Sequence, residues 1–346
     1  MVISRRELLV GAASGAAGIS LTASNRVTAV AKASQALAPA KLRLIDTHHH
    51  IFPPFYVNAI GLDAASSHTG NLPTWSVEGS LQAMDRSDIE LAVVSISNPG
   101  VALQDSNQAP RLARQCNDFA HQMIADHPGR FDAFAVLPMP NVRESLAEIK
   151  YGLEELKFAG IGLLTNYNGI YLGDPRFDSL FNELHRREAV VFVHPAESTS
   201  APLHSSVPSP IIEFPHDTTW AIASLLYNGV FSRYGGIRFI FSHAGGTVLS
   251  IGTRFQIKRA PEGADPMPLL KRQYYDLALS TNPITMPALL AFVGPGHVVF
   301  GSDYPFASQQ SLTAGVDYLA TVGRENQDVS MIERETALAL FRQVER

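Results

Sequence analysis

Three consecutive histidines, His48, His49 and His50, follow the apolar run Leu42–Ile45 and precede the turn signal Pro53-Pro54. In an extended strand alternate side chains share a face, so His48 and His50 point one way and His49 the other. Imidazoles two positions apart sit about 7 Å from each other along the strand and can converge on one ion. A solvated histidine cluster is the competing explanation, and further ligands decide between them. Three more apolar runs end in metal-binding or acid–base residues: Val191-Phe192-Val193 in His194, Ile240-Phe241-Ser242 in His243, and Phe300-Gly301-Ser302 in Asp303. Imidazole nitrogens and a carboxylate oxygen suit zinc, and also manganese or iron. A single site of three histidines and one aspartate leaves room for water or substrate. The segment Gly160–Asn166 holds no lysine or acid that could bridge a second ion, so one divalent metal is expected, zinc first and manganese second.

The elements that must position these residues alternate in kind. Candidate strands are Leu42–His48, Leu91–Ile96, Phe131–Leu137, Gly160–Leu164, Val190–Val193, Ile237–Ser242, Tyr275–Leu279 and Val298–Gly301. Helix-like segments such as Arg111–Asp126, Glu144–Lys157, Phe177–Glu188 and Thr218–Tyr234 lie between them. Strands alternating with helices in this number predict a single (β/α)8 TIM barrel, in which the strand ends carry the site and strands one and eight meet. His48, His50 and Asp303 would then be neighbours. An open doubly wound sheet is the rival, weakened because no G-x-G-x-x-G follows an early strand. Two connections, Pro53–Gly79 and Pro195–Asp217, exceed a plain turn and read as walls or lids of the site.

The bulk properties narrow the partners. The chain has 346 residues, 46% hydrophobic and 17% charged, with a formal net charge of -5, which argues against a nucleic-acid or anionic-membrane surface. The single cysteine, Cys116, excludes an internal disulfide framework and a cysteine-based metal site. Residues 1–40 read as an export signal outside the fold. Ser4-Arg5-Arg6-Glu7-Leu8-Leu9 is a twin-arginine pattern, a weakly apolar stretch follows, and Ala29-Val30-Ala31 or Ala36-Leu37-Ala38 offers small residues for cleavage. Export to the periplasm is expected, or a cytoplasmic location if the signal is not used, with no membrane anchor on the mature barrel of residues 41–346.

The strings IDTHHHIF, VFVHP, FSHAGG and FGSDYPF, in that order, resemble the amidohydrolase-related superfamily, and within it the branch of aminocarboxymuconate-semialdehyde decarboxylase. HHHIFPPFY and LLTNYNGIYLGD look most like proteins grouped with 6-methylsalicylate decarboxylase. The resemblance spans Leu42 to Phe341 and implies a distorted barrel, with a metal on His48, His50, His194 and Asp303 and with His243 as the catalytic histidine. Two positions depart from it: Thr336 stands where asparagine is usual, and Trp220 where arginine is common.

The chemistry follows from the residues as well. Losing carbon dioxide leaves electron density on carbon, which a bound cation can stabilise through neighbouring substrate oxygens. Asp303 or His243 could deliver the proton that this carbon then needs. The expected activity is decarboxylation of a small hydroxylated aromatic or muconate-like acid. The alternatives are hydrolysis of a lactone or related ester by metal-activated water, or a non-catalytic binding barrel. Arg254 could hold the substrate carboxylate, with Phe52, Trp75, Asn166, Tyr167 and Tyr171 around it. The expected partners are a small carboxylate substrate and a second copy of the chain. Of the other histidines, His121, His127 and His185 read as solvent-facing, His204 and His216 as loop residues near the site, and His297 as remote from it.

Overall fold

The computed structural model describes residues 42–61, 74–101, 107–197, 207–323 and 328–342. Eight strands make one parallel sheet in chain order: β1 (Leu44–His50), β2 (Ile89–Ser95), β3 (Phe131–Val136), β4 (Gly160–Leu164), β5 (Val190–His194), β6 (Arg238–Phe241), β7 (Tyr274–Asp276) and β8 (Val298–Val299). Thr47 N donates to Phe300 O at 3.0 Å and His50 N to Tyr304 O at 2.7 Å, so β1 and the chain just beyond β8 close the sheet into a barrel. This is the expected (β/α)8 architecture. The strands are buried on both faces, which is why they read as apolar runs without alternation.

Helices α1 (Val77–Arg86), α2 (Ala109–Asp126), α3 (Val142–Lys150), α4 (Asp178–Arg186), α5 (Ser209–Tyr227), α6 (Thr285–Val293) and α7 (Gln309–Gly323) are the main helical segments. Ser76 caps α1 by accepting from Gly79 N, and Asn141 caps α3 by accepting from Glu144 N. The main core packs aromatic and branched side chains such as Phe158, Phe181, Phe231 and Phe239 between strands and helices.

Three expectations need correction. β1 runs through all three histidines instead of stopping at the first. The connection expected from Pro195 to Asp217 is helical from Ser209 onward. Prolines in a first turn lose no helical hydrogen bond, so Pro208 and Pro210 start this helix instead of breaking it; Pro215 is accommodated inside it. His185 is half-buried, not solvated: its Nδ1 accepts from Gly236 N at 3.0 Å. His121 is exposed, and His127 is half-buried where α2 ends. His297 binds Gln273 O and lies where β8 begins. Residues 1–41, the export signal and both cleavage sites included, lie outside the described residues, as does His204. No described helix is long and apolar enough to cross a membrane.

Candidate metal centre and pocket

β1 supplies two of the candidate ligands because its alternation turns His48 and His50 inward. His49 turns outward, where its ring binds Asp46 Oδ2 at 3.0 Å and Ser80 Oγ, on α1, at 3.1 Å. β5 ends in His194, and Asp303 follows β8. One ligand atom from each of His48, His50, His194 and Asp303 lies within 4.8 Å of the other three, and all four residues are buried. His48 Nε2 is 3.0 Å from His50 Nε2, and Asp303 Oδ1 is 3.2 Å from the first and 3.3 Å from the second.

The surroundings test whether a cation fits. His48 Nδ1 is 2.8 Å from Asp276 Oδ2, and His194 Nδ1 is 2.7 Å from Pro195 O. A carboxylate and a carbonyl can only accept, so both Nδ1 atoms carry protons and both Nε2 lone pairs face the cluster. His50 Nδ1, 3.1 Å from Ser95 Oγ, suits the same tautomer. Three imidazole lone pairs and a carboxylate crowded into a buried space call for positive charge. Burial would lower the His48 pKa, but Asp276 and Asp303 outweigh it and push it up to about 10, so without metal a proton sits among the ligands. Burial chiefly pulls His50 down to about 4 and drives His194 well below its ordinary value. Burial opposes ionisation of Asp303, yet His48, His243 and His50 hold it well below the usual carboxylate range. The donor set, with its outward nitrogens already hydrogen-bonded, fits one divalent cation.

His243 sits beside the cluster. Its Nε2 is 3.4 Å from Asp303 Oδ2 and its ring centroid 4.9 Å from that of His48, while its buried Nδ1 has no hydrogen-bond partner. The backbone there is unusual: φ is +54° at His243, +56° at Ala244 and +58° at Asp303, a left-handed region uncommon for non-glycine residues. The two glycines that follow serve packing. A Cβ on Gly246 would lie 2.0 Å from Pro215 O, and one on Gly245 2.7 Å from the Tyr275 ring. They let the β6 turn pass under α5, and Gly246 also lines the cavity above the cluster.

A cavity of about 460 Å³ opens above the cluster, reaching His194, His243 and Asp303 at its base. Its walls come from strand ends and helix starts: Ser97 and Asn98 after β2, Ile211 and Phe214 on α5, Leu279 and Ser280 after β7, Thr285 on α6 and Phe306 beyond β8. Ile211 and Phe214 belong to the Pro195–Asp217 connection that the sequence marks as a wall; the others were not singled out, although a search of the residues just after each strand would have found most of them.

The structure does not bring most of the expected substrate contacts to this cavity. Arg254 is exposed and lines a separate hollow with His216 and Trp220. Asn166 Nδ2 donates to the buried Asp217 at 3.1 Å, and Tyr167 OH accepts from Leu164 N at 3.0 Å. Tyr171 OH donates to Asp217 at 2.6 Å. Trp75 Nε1 donates to Ser80 Oγ at 3.0 Å, behind His49. Phe52 stands one layer back, edge-on to Phe306 at 5.5 Å. Asn166, Tyr167, Tyr171 and Trp75 are thus engaged in hydrogen bonds within the surrounding structure. The carboxylate that sequence reasoning missed is Asp276: Oδ2 meets His48, while Oδ1 accepts from His243 N and Ala278 N, both at 2.9 Å. An acid at the end of an otherwise apolar strand was the available signal.

Comparison with known proteins is consistent with this geometry. The profile of the family described as Amidohydrolase matches residues 45–343. A decarboxylase of Penicillium terrestre is 33% identical over 318 residues, covering 86% of this chain and 94% of its own. The 6-methylsalicylic acid decarboxylase of Penicillium expansum is 31% identical over 317 residues, covering 86% and 95%. The crystal structure of 5-carboxyvanillate decarboxylase from Novosphingobium aromaticivorans, complexed with manganese and 4-hydroxy-3-methoxy-5-nitrobenzoic acid, superposes with a TM-score of 0.78 at 19% identity, covering 87% of this chain and 96% of that one.

Proposed function

The chain belongs to the amidohydrolase family, and we propose that it is a metal-dependent decarboxylase of a small hydroxylated aromatic acid. The observation that carries this reading is the buried convergence of three imidazoles and Asp303 beneath a cavity sized for one aromatic ring, with His243 at its edge. The decarboxylases among its relatives align over most of both chains, which supports the same reaction class.

His48, His50, His194 and Asp303 would hold one divalent cation. The three-imidazole donor set favours zinc, and the manganese of the 5-carboxyvanillate enzyme makes that ion the other candidate. When bound, the ion supplies Lewis-acid stabilisation of negative charge on substrate oxygens. The protein does the rest. Asp276 fixes the His48 ring and the His243 backbone together, so ligand and proton carrier keep one relative position. The apolar walls exclude water from the ring. The bond from ring carbon to carboxylate breaks, its electron pair stays on the ring carbon, and carbon dioxide leaves. His243, hydrogen-bonded to Asp303, delivers the proton that this carbon takes up.

The test is to load the protein with zinc or manganese, supply 2-hydroxy-6-methylbenzoate, and measure carbon dioxide and the phenol. Hydrolysis of aromatic lactones without release of carbon dioxide from any hydroxybenzoate would replace the decarboxylase reading with the hydrolase one. We further propose that residues 1–40 direct export of the folded barrel through a twin-arginine route. Changing Arg5 and Arg6 to lysine should leave uncleaved protein in the cytoplasm, and unchanged export would refute the assignment.

A further inference from the structure

We infer that Thr165 and Asp217 are positioning residues for the metal centre, acting on the ligand His194 through one peptide plane; the inference rests on the metal-centre reading above and is independent of the reaction run there. His48 Nδ1 meets a carboxylate directly and His50 Nδ1 meets the Ser95 hydroxyl. His194 Nδ1 meets a backbone carbonyl instead, Pro195 O at 2.7 Å. Such an acceptor orients the ring only as firmly as its own peptide plane is held. That plane is held from its other edge. Pro195 C=O and Ala196 N–H belong to one planar unit and point opposite ways. Ala196 N donates to Thr165 Oγ1 at 2.9 Å and, at 3.3 Å, to Asp217 Oδ2. The Thr165 hydroxyl donates its proton to Asp217, which leaves its lone pairs to accept from Ala196. Thr165 N also donates to His194 O at 2.9 Å, so this one residue grips the chain on both sides of Pro195, whose ring fixes φ.

Every proton along this run points towards Asp217: imidazole to carbonyl, amide to hydroxyl, hydroxyl to carboxylate. Links of one sense polarise each other, so the carboxylate strengthens the acceptor that keeps the His194 proton on Nδ1 and its Nε2 lone pair towards the cluster. Asp217 is built as a fixed end for the run. It is buried on α5 and also accepts from Asn166 Nδ2 at 3.1 Å and Tyr171 OH at 2.6 Å. Phe214, one turn earlier on α5, lines the cavity with its ring centroid 6.1 Å from that of His194. One anchor thus registers a ligand and a wall of the cavity above it.

Asp217→Ala would leave several buried donors unpaired, so the test turns on Thr165→Val, which keeps the shape and removes the hydroxyl. The protein is loaded with zinc or manganese, whichever the wild type binds more tightly. Competition with a chromophoric chelator gives the affinity, and thermal unfolding of the metal-free protein gives the stability. Thr165→Val should bind the metal roughly 10–100-fold more weakly, the usual scale for an outer partner of a ligand, and Thr165→Ser should return to within about threefold of wild type. Ser224→Ala is the control. It removes the acceptor of Gly173 N at 3.2 Å, another tie between α5 and the segment after β4, and should lower stability while leaving metal affinity unchanged. Wild-type affinity in Thr165→Val, no recovery in Thr165→Ser, or an equal loss of affinity in Ser224→Ala would overturn the inference and leave the metal centre standing. A wild-type chain that takes up neither metal would remove the centre and the inference together.

Discussion

Replacing Asp276 with asparagine is the sharpest probe of the centre, because one buried carboxylate serves three donors there. Oδ1 accepts from the His243 and Ala278 amides at 2.9 Å each, and Oδ2 faces His48 Nδ1 at 2.8 Å. Alanine is the wrong substitution. It would orphan three buried donors at roughly 1–3 kcal/mol each, a loss comparable with the whole stability of an ordinary domain. Asparagine keeps the carbonyl oxygen for the two amides and turns its NH2 towards His48. Two donors then oppose each other, and the imidazole escapes by moving its proton to Nε2, the atom that must face the cation. Losing an outer partner of this kind typically costs about 10–100-fold in metal affinity or activity, or about 1.4–2.8 kcal/mol. The steric demand is unchanged, so folding should survive. Competition with a chromophoric chelator gives the affinity, and thermal unfolding of the metal-free protein checks the fold. A metal affinity within threefold of wild type, in a folded Asp276→Asn protein, would refute the claim that Asp276 sets the His48 tautomer.

Other outcomes are expected at neighbouring positions. His48→Ala and His194→Ala should lose most bound metal by elemental analysis. His49→Ala should keep it and lose roughly 1–3 kcal/mol of stability, because Asp46 and Ser80 lose a buried partner; full occupancy in the first two would show that other residues hold the ion. His243→Asn should bind metal and fold normally, with turnover lower by roughly 10²–10⁴, and near wild-type turnover would remove it from the mechanism. Cys116 is buried and burial pushes its thiol from 9.0 up to about 12, so thiol reagents should label it only after unfolding. The same shift makes this residue's contribution to stability flat below about pH 9 and falling from there to pH 12, because in that window the unfolded chain sheds a proton that the folded chain keeps. A Cys116→Ala protein with an identical alkaline stability profile would contradict that.

The barrel was legible because buried parallel strands are short apolar runs and its polar residues stand at their ends. His48, His50, His194, His243 and Asp303 could all be picked out by that rule, and the structure gathers them at one end of the barrel. Side-chain direction beyond a strand end was not legible. Arg254 follows β6 closely enough in sequence to suggest a place at the site, but the chain there goes through short turns at His243–Gly245 and Gly252–Gln256 and leaves it on a separate hollow. Asn166 and Tyr167 follow β4 as site residues would, yet a two-residue hairpin, Asn166–Tyr167 with Ile170–Tyr171, folds them back towards Asp217 and the backbone. Asp276 was hidden because a strand pattern does not say whether a single acid points inward or out.

The location of the cluster also explains why β1 carries so many buried polar groups. Among the described residues β1 meets the chain from β8 onward through one bridge, between His49 and Tyr304, and a few backbone hydrogen bonds, and side chains add to them. Asp46 Oδ1 accepts from His48 N at 3.0 Å and from Ser302 N at 2.9 Å, while Oδ2 takes the Ser302 hydroxyl and the His49 ring. Asp303 N then donates to His48 O at 2.8 Å. A carboxylate can accept several donors converging from two chain segments without holding either in ladder register. That freedom lets Asp303 take its left-handed backbone and still meet His48 and His50. The seam where the barrel closes, by a short strand bridge reinforced by side-chain hydrogen bonds, is therefore where three of the four candidate ligands can be brought to one point.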